Sequence, residues 1–553
     1  MPTPTYETKT IEHLGLVAGM VDELGIVELI DKLIDQDHTQ RQVSIGQAVK
    51  AMILNGLGFA NRRLYLSPHF FANKPTERLI APGIRPDHLH DDTLGKALDA
   101  LHSFGVSELF SLISQQAVTR LGLSPSQAHL DTTSFHVDGS YDDNHDKDNH
   151  DEDNRNEEAS EGVIRISHGY SRDHRPDLKQ VVLELISENS AGIPLLMKPL
   201  SGNQNDKTSF QEVVTRHVGQ LQEAGIEVLV TDSAGYTPTT LQTLQPMNVT
   251  WVMSVPATLS SAQGLLATLP TEDFSLLVAG YEAVRVEVTY ADVVQRWLVV
   301  RSQAARERAR ATSQRQLLKA SEVERKRFET LCRQAFSCQQ DAYAALARYQ
   351  QSCRVLSVSE VSISQQQHYA KAGRPTKAAR PERVSYHLHG LLSAQVSLFE
   401  AHVERASRFI LATNDVSAAQ LSDAALLQAY KDQSKVERGF RFLKDPMFLA
   451  STLFLKKTER IMALLMVMTL CLLVYAALEH RIRTTLVKHD ANVPDQLGKP
   501  TQRPTAKWVF ELFLDVHLLF ITTQHVQVLV MNLRDELKQL LELLGPPYAE
   551  AYS

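Results

Sequence analysis

From about Thr10 to Leu123, apolar residues return every three or four positions, in IEHLGLVAGMVDELGIVELIDKLID, VSIGQAVKAMILNGL and LGKALDALHSFGVSELFSLISQQAV. Side chains at that spacing share one helix face, so the pattern predicts helices, broken at APGIRPDHLHDD by Gly, Pro and Asp. Residues 1–125 are read as a helical N-terminal domain. At Ala128 the period shortens: HLDTTSFHV alternates around Leu130, and VIRIS, QVVLELISEN and GIPLLMKPL follow as strand patterns. A helical segment, SFQEVVTRHVGQLQEAG, leads to the apolar strand IEVLVTD. The short helix TPTTLQTLQ and a further strand, VTWVMSV, come next.

Three β-patterns, a helix, a strand, a helix and a strand follow the order of a ribonuclease-H-like mixed sheet. The fold class expected is therefore α/β, with that catalytic core starting over 126–256. Residues 257–407 depart from it. The β-like pieces YEAVRVEVTY, VVQRWLVVR, CRVLSVSEVSI and AQVSLFEAHVE surround a charged helical stretch from Gln303 to Gln351, read as an insertion domain. Residues 408–480 return to the core, and 481–553, including ELFLDVHLLF and LVMNLRDELKQLLELL, read as mostly helical and a candidate dimerisation element. A strand is expected around TTQHVQVLV. The uncharged run Ile461–Leu478 is nearly long enough to span a bilayer, but charge on both flanks and the lack of a second such run favour a buried helix. No membrane partner is expected.

The chain has 553 residues, 43% of them hydrophobic and 22% charged, which excludes fibrous and disordered classes. Its net charge of −7 gives no whole-chain sign of a nucleic-acid partner, so any such argument is local. The four cysteines show no CxxC spacing and suit reduced thiols in the cytoplasm. The start, MPTPTYETKTIEHLG, lacks the pattern of a secretory leader. The loop YDDNHDKDNHDEDNRNEEASEG lacks the spacing and the central glycine of a calcium loop and is read as a solvated hairpin extension.

Three acids stand out by position. Asp131 sits mid-strand, where Asp is disfavoured. Asp232 ends an apolar strand, where α/β sheets place ligands. Glu437 lies in the basic helical stretch YKDQSKVERGFRFLK. Singly, Asp232 reads equally as a helix cap, Asp131 as a core acid and Glu437 as an ion-pair partner. In a ribonuclease-H-like sheet the first and fourth strands are neighbours, so the two Asp converge and a later helix can add the Glu. Three carboxylates at one point repel unless divalent cations neutralise them, and hard oxygen donors select Mg²⁺ or Mn²⁺. Two such ions serve in-line displacement at phosphorus, and the basic neighbours then answer a phosphodiester backbone.

Tyr430, Glu437 and Lys444 fall at the spacing of the Y-(2)-R-(3)-E-(6)-K signature, and the chain resembles bacterial insertion-sequence DDE transposases of the insertion-sequence-four superfamily. LDTTSF at Asp131, HGYSRDHRPDLKQ from His168 to Gln180 and VTDSAGY at Asp232 carry the resemblance further. Gln433 stands where the family has Arg; Lys435 or Arg438 could supply the missing charge. The resemblance implies cut-and-paste DNA transposition, with two Mg²⁺ held by Asp131, Asp232 and Glu437. Implied partners are double-stranded DNA with terminal inverted repeats, target DNA and a second copy in a synaptic homodimer, in a bacterial cytoplasm at the nucleoid. It also implies DNA-end contacts from Tyr430, Lys444 and Arg441, and a flipped base stacked on an aromatic side chain, for which Trp251 and Trp297 are candidates beside their reading as core residues. His168, Arg172, His174 and Arg175 resemble the family's second-strand region and read equally as phosphate-positioning groups or a polar turn. Gln303–Arg333, and Arg374 and Lys377 in AKAGRPTKAARPER, are basic stretches suited to DNA backbone contact. The N-terminal helices are a candidate DNA-end-binding unit. Alternatives are a catalytically silent DNA-end-binding descendant and a nuclease on the same fold.

Overall fold

The computed structural model describes residues 4–36, 41–59, 66–137, 164–169, 175, 177–204, 218–219, 221–369, 380–444, 455, 457–523 and 525–553. The side chains of 396–398 and 435–437 also lie outside the described residues, as does the acidic loop after Val137. The chain divides into two compact units. The first comprises 1–253, 290–293 and 425–553; the second comprises 254–289 and 294–424.

In the first unit, the N-terminal apolar periods form helices as expected, including Leu14–Glu23, Ile45–Leu57, Asp91–Phe104 and Val106–Arg120. Ser44 caps the Ile45–Leu57 helix in a reciprocal capping box with Gln47. These helices close around the apolar helix Thr458–Lys488, and 89% of its most apolar 18-residue window is buried inside the protein. It is a core helix, hydrophobic all round because it has packing partners all round. Arg460 near its start clamps Asp99 through two hydrogen bonds of 2.7 Å. The N-terminal helices, the apolar helix and the C-terminal helix Asp535–Leu544 share one buried cluster, so the N-terminal and C-terminal segments build one core.

The ends of the chain hold strands that the sequence pattern hides. β1 (Thr5–Thr10) pairs antiparallel with His517–Thr522, which pairs with Val526–Met531. The DVHLLF stretch is thus largely strand, although its apolar run reads as helix. TYETKT carries mostly polar residues because β1 is largely exposed.

The sheet of this unit contains β2 (Gln127–Val137), β3 (Lys179–Glu188), β4 (Pro194–Ser201), β5 (Val228–Thr231) and β6 (Thr250–Ser254). Their order is β4-β3-β2-β5-β6. The first three are antiparallel neighbours, and β5 and β6 run parallel to β2. The VIRIS segment contributes one bridge, Ser167 to Gln180.

The second unit contains β7 (Ser275–Val278), β8 (Tyr281–Tyr290), β9 (Val293–Ser302), the hairpin of β10 (Leu356–His368) and β11 (Arg383–Ala394), and β12 (Arg408–Thr413). β12, β9, β8 and β7 are successive neighbours. The helices Gln303–Arg333 and Gln339–Ser352 pack with the hairpin around Phe328, Leu346, Tyr349 and Leu388. AQVSLFEAHVE forms the helix Val396–Ala406 rather than a strand. Val396, Phe399 and Val403 recur at helical spacing, and that period outweighs the local apolar run.

Candidate active site

β2 and β5 are in parallel register, with Ala128 opposite Leu229, His129 opposite Val230 and Leu130 opposite Thr231. The next residue after the last pair is an aspartate on both sides: Asp131 continues β2, and Asp232 is the first residue past the end of β5. Both are half-buried. Asp131 Oδ1 accepts the Thr132 amide at 2.7 Å, and Asp232 Oδ1 accepts the Ala234 amide at 2.9 Å. The Asp232 bond folds the chain into the turn leaving β5. That is the local capping role open to this residue, and the second carboxylate oxygen takes no part in it.

Alternation along a strand sets the face of each side chain. Asp131 shares its face with Phe135 and Val137, and these residues pair with Leu185, Val181 and Lys179 of β3. Phe135, Val137, Val181, Leu185 and Met197 belong to the buried cluster that also holds Phe440 and Leu443 of the helix Asp423–Leu443. That cluster lies on the Asp131 side of the sheet and takes in the end of the helix that carries Glu437. The Glu437 side chain lies outside the described residues, as does that of Lys435. Gln433 and Phe440 of this helix are both buried. A Cβ at Gly439 would stand 3.1 Å from Leu472, so glycine lets this helix approach the apolar helix closely.

The other expected site residues separate by exposure. Arg438 and Arg441 are exposed, and Tyr430 and Lys444 are half-buried. Arg438 borders a cavity of about 300 Å³ with Tyr475, His480 and Arg483. Gln433 is 6% exposed, so it is a core-facing residue and not a surface phosphate contact. A neutral amide occupies that inward position without the desolvation an arginine would meet there. Trp251 in β6 and Trp297 in β9 are fully buried, and the Trp297 indole donates to Gln295 Oε1 at 3.1 Å. Neither ring presents a face to a base; both are core residues.

His168 is exposed, and Arg175 forms an exposed pair with Asp177 at 2.8 Å that holds the Asp177 carboxyl below its ordinary range. Arg172 and His174, and Arg374 and Lys377, lie outside the described residues. What the HGYSRD motif does fix is a close backbone approach. A Cβ on Gly169 would fall 2.0 Å from the Gly202 carbonyl, which accepts from Gln180 Nε2 at 2.8 Å.

One positioning cluster escapes the motif reading. Arg296, 2% exposed in β9, faces Asp423 at 3.3 Å and Asp415 at 3.8 Å, and donates to the Leu421 carbonyl at 2.7 Å. Asp423 opens the helix that carries Glu437 and also takes Arg285 at 2.5 Å. The available signal was an arginine inside the apolar run VVQRWLVV.

Two carboxylates that follow a paired register position at one sheet end repel each other as anions when they approach, which favours a cation between them. Oxygen donors suit a hard divalent ion, so the pair fits Mg²⁺ or Mn²⁺. Among the described residues no group of three or more His, Cys, Asp or Glu gathers at one point.

This sheet, with one acid in β2 and one directly after its neighbour β5, defines a class of carboxylate-site α/β proteins. Residues 130–474, more than half of the chain, match the family described as Transposase DDE domain. The chain belongs to that family, whose members are DNA-transposing enzymes that use divalent metal ions. Residues 6–115 match a domain of unknown function (DUF4277). A search of curated proteins gives no match. Among solved structures, the chain is similar to a piggyBac transposase synaptic complex with hairpin DNA, at 9% identity and a TM-score of 0.36, over 91% of this chain and 79% of that one.

Proposed function

We propose that the protein cuts DNA at the ends of an insertion sequence and joins the freed ends to target DNA, in cut-and-paste transposition. The placement of Asp131 and Asp232 directly after the paired register of β2 and β5 carries this reading, within a family match that spans both residues and Glu437. The order β4-β3-β2-β5-β6, antiparallel then parallel, supports a ribonuclease-H-like core. In this reading Asp131, Asp232 and Glu437 hold two Mg²⁺ or Mn²⁺ ions. Such ions, when bound, supply activation of the attacking oxygen and stabilisation of the leaving one.

The chain's own residues do the rest. Asp131 and Asp232 fix the reacting phosphate's position through the rigid sheet, and the Asp423–Leu443 helix supplies Glu437. Arg438 and Arg441, exposed on that helix, and Tyr430 and Lys444 flank the DNA backbone. The substrate is duplex DNA with terminal inverted repeats, worked on by a homodimer in the bacterial cytoplasm.

The test is a cleavage assay on linear duplexes carrying the DNA that flanks the reading frame, with and without Mg²⁺. Strand nicking by the wild type, dependent on Mg²⁺ and abolished in Glu437→Gln, is expected. Equal cutting by Glu437→Gln would remove the third ligand from the account.

A further inference from the structure

The helix Gln303–Arg333 has a cationic side that its amphipathic packing leaves wholly in solvent. Its inward side is marked by buried Ser313, Glu324 and Phe328. At 100° per residue, Arg308, Arg315, Lys319, Lys326 and Arg333 fall within about 40° of arc on the opposite side. All five are exposed. From Arg308 to Arg333 the stripe spans 26 residues, a rise of about 37 Å at 1.5 Å per residue.

The usual reading of such a face is a solvated helix laced by internal ion pairs. The partners of the helix's own acids argue otherwise. Glu324 turns inward and accepts the amides of Arg354 and Leu356 at 2.8 and 2.9 Å. Glu307 accepts from Gln303 at 3.3 Å, and Glu329 is taken by Arg325. Among these acids only Glu322 reaches the stripe, at 2.9 Å from Lys326. Arg308, Arg315, Lys319 and Arg333 have no ion-pair partner among the described residues. Four uncompensated cations in one line on a chain of net charge −7 are a local feature that the whole-chain balance conceals.

We propose that this face is a rail for the backbone of duplex DNA, in which Arg308, Arg315, Lys319 and Arg333 each neutralise a phosphate without reading sequence. The proposal rests on the DNA-transposing reading and names a second binding surface outside the carboxylate site. The stripe's length is close to one turn of B-DNA, about 34–36 Å, and its single sign matches a polymer carrying one negative charge per about 1.7 Å of axis. Its side chains are long and separately solvated, which suits phosphate neutralisation and not base readout. Leu318 and Val323 stand exposed beside the stripe, so association with a second copy is the outcome to be separated from it.

The test measures anisotropy of a labelled random-sequence 40-base-pair duplex with the full chain, in EDTA, over a series of KCl concentrations. Removing one phosphate-neutralising cation lowers the slope of log K against log salt by about 0.9. The variant Arg308→Ala/Arg315→Ala/Lys319→Ala/Arg333→Ala should therefore lower the slope by roughly three to four. Arg325→Ala/Lys538→Ala, which removes two exposed cations off the stripe, should leave the slope unchanged. A melting curve matching the wild type, and the single reversal Arg315→Glu, guard against a folding defect. An unmoved slope in the quadruple variant overturns the rail. A changed sedimentation coefficient with an unmoved slope overturns it in favour of self-association. Cleavage is read on the same wild-type preparation in Mg²⁺. A reduced slope without cleavage would leave the rail and remove the enzymatic reading, whereas cleavage with an unmoved slope would do the reverse.

Discussion

The sheet end of the first unit and the long helix of the second both carry charge, and they carry it under opposite conditions. Asp131 and Asp232 are held half-buried, in β2 and directly after β5, next to the buried pair Leu130 and Thr231. Arg308, Arg315, Lys319 and Arg333 are spread along a solvated face. Like charges brought together out of water are costly unless something binds between them. Like charges spread in solvent are cheap, screened by salt, and suited to attraction at a distance. Position and burial, more than charge itself, separate chemistry from affinity in this molecule.

The strongest way to break this comparison is at the carboxylates. Asp131→Asn or Asp232→Asn should reduce metal-dependent DNA cleavage at least about 10³-fold, or about 4 kcal/mol of barrier, while leaving the salt slope of DNA binding intact. Both slopes and rates can be read from one preparation. A variant deficient in binding and cleavage together would erase the distinction between the two regions.

Buried charge in the second unit should behave like the carboxylates rather than like the stripe. Arg296→Ala leaves Asp423 with Arg285 and Asp415 with the amides of Ala419, Gln420 and Leu421, removes the buried cation between them, and should lower stability by about 3 kcal/mol, measured by urea unfolding. An equivalent loss is not expected for Arg315→Ala, which removes a charge from solvent.

His13 sharpens the point with pH. Burial lowers its pKa from the ordinary 6.5 to about 4, and its ring lies 2.8 Å from the Leu57 carbonyl and stacks on Phe510. The folded chain therefore binds that proton less readily than the unfolded one. The neutral ring's contribution is fully present above pH 6.5 and is lost as pH falls towards about 4. The total is about 3 kcal/mol. His13→Gln should flatten the unfolding free energy across that window, whereas the stripe variants should keep the wild-type profile.

The smallest effect separates cations within the stripe. Lys326 is already engaged by Glu322, so Lys326→Ala should change the DNA salt slope by less than the roughly 0.9 expected for Arg315→Ala.

Much of this was legible in the chain because the deciding signals were local. β2, β3, β5 and β6 are closely buried, and the acids at 131, within β2, and 232, directly after β5, stand out against them. The strands at the chain ends were not legible. β1 is mostly polar and exposed, and the strand in DVHLLF pairs on one side with a partner more than 500 residues away in sequence. The same limit hid Arg296, whose meaning depends on Asp415 and Asp423 meeting it across the fold. Gln433 matched a signature position in spacing, but spacing could not tell that the position faces inward. The tryptophans were ambiguous for the same reason, since an indole that stacks and an indole that packs look alike until burial is known.

The most direct test of the central claim is metal binding at the aspartate pair, independent of turnover. Mn²⁺ binding to the full chain with end DNA present can be followed by electron paramagnetic resonance, for wild type, Asp131→Asn, Asp232→Asn and the double variant. One shared site predicts that either single substitution weakens Mn²⁺ binding as much as the double does. Wild-type stoichiometry and affinity in both single variants would contradict it.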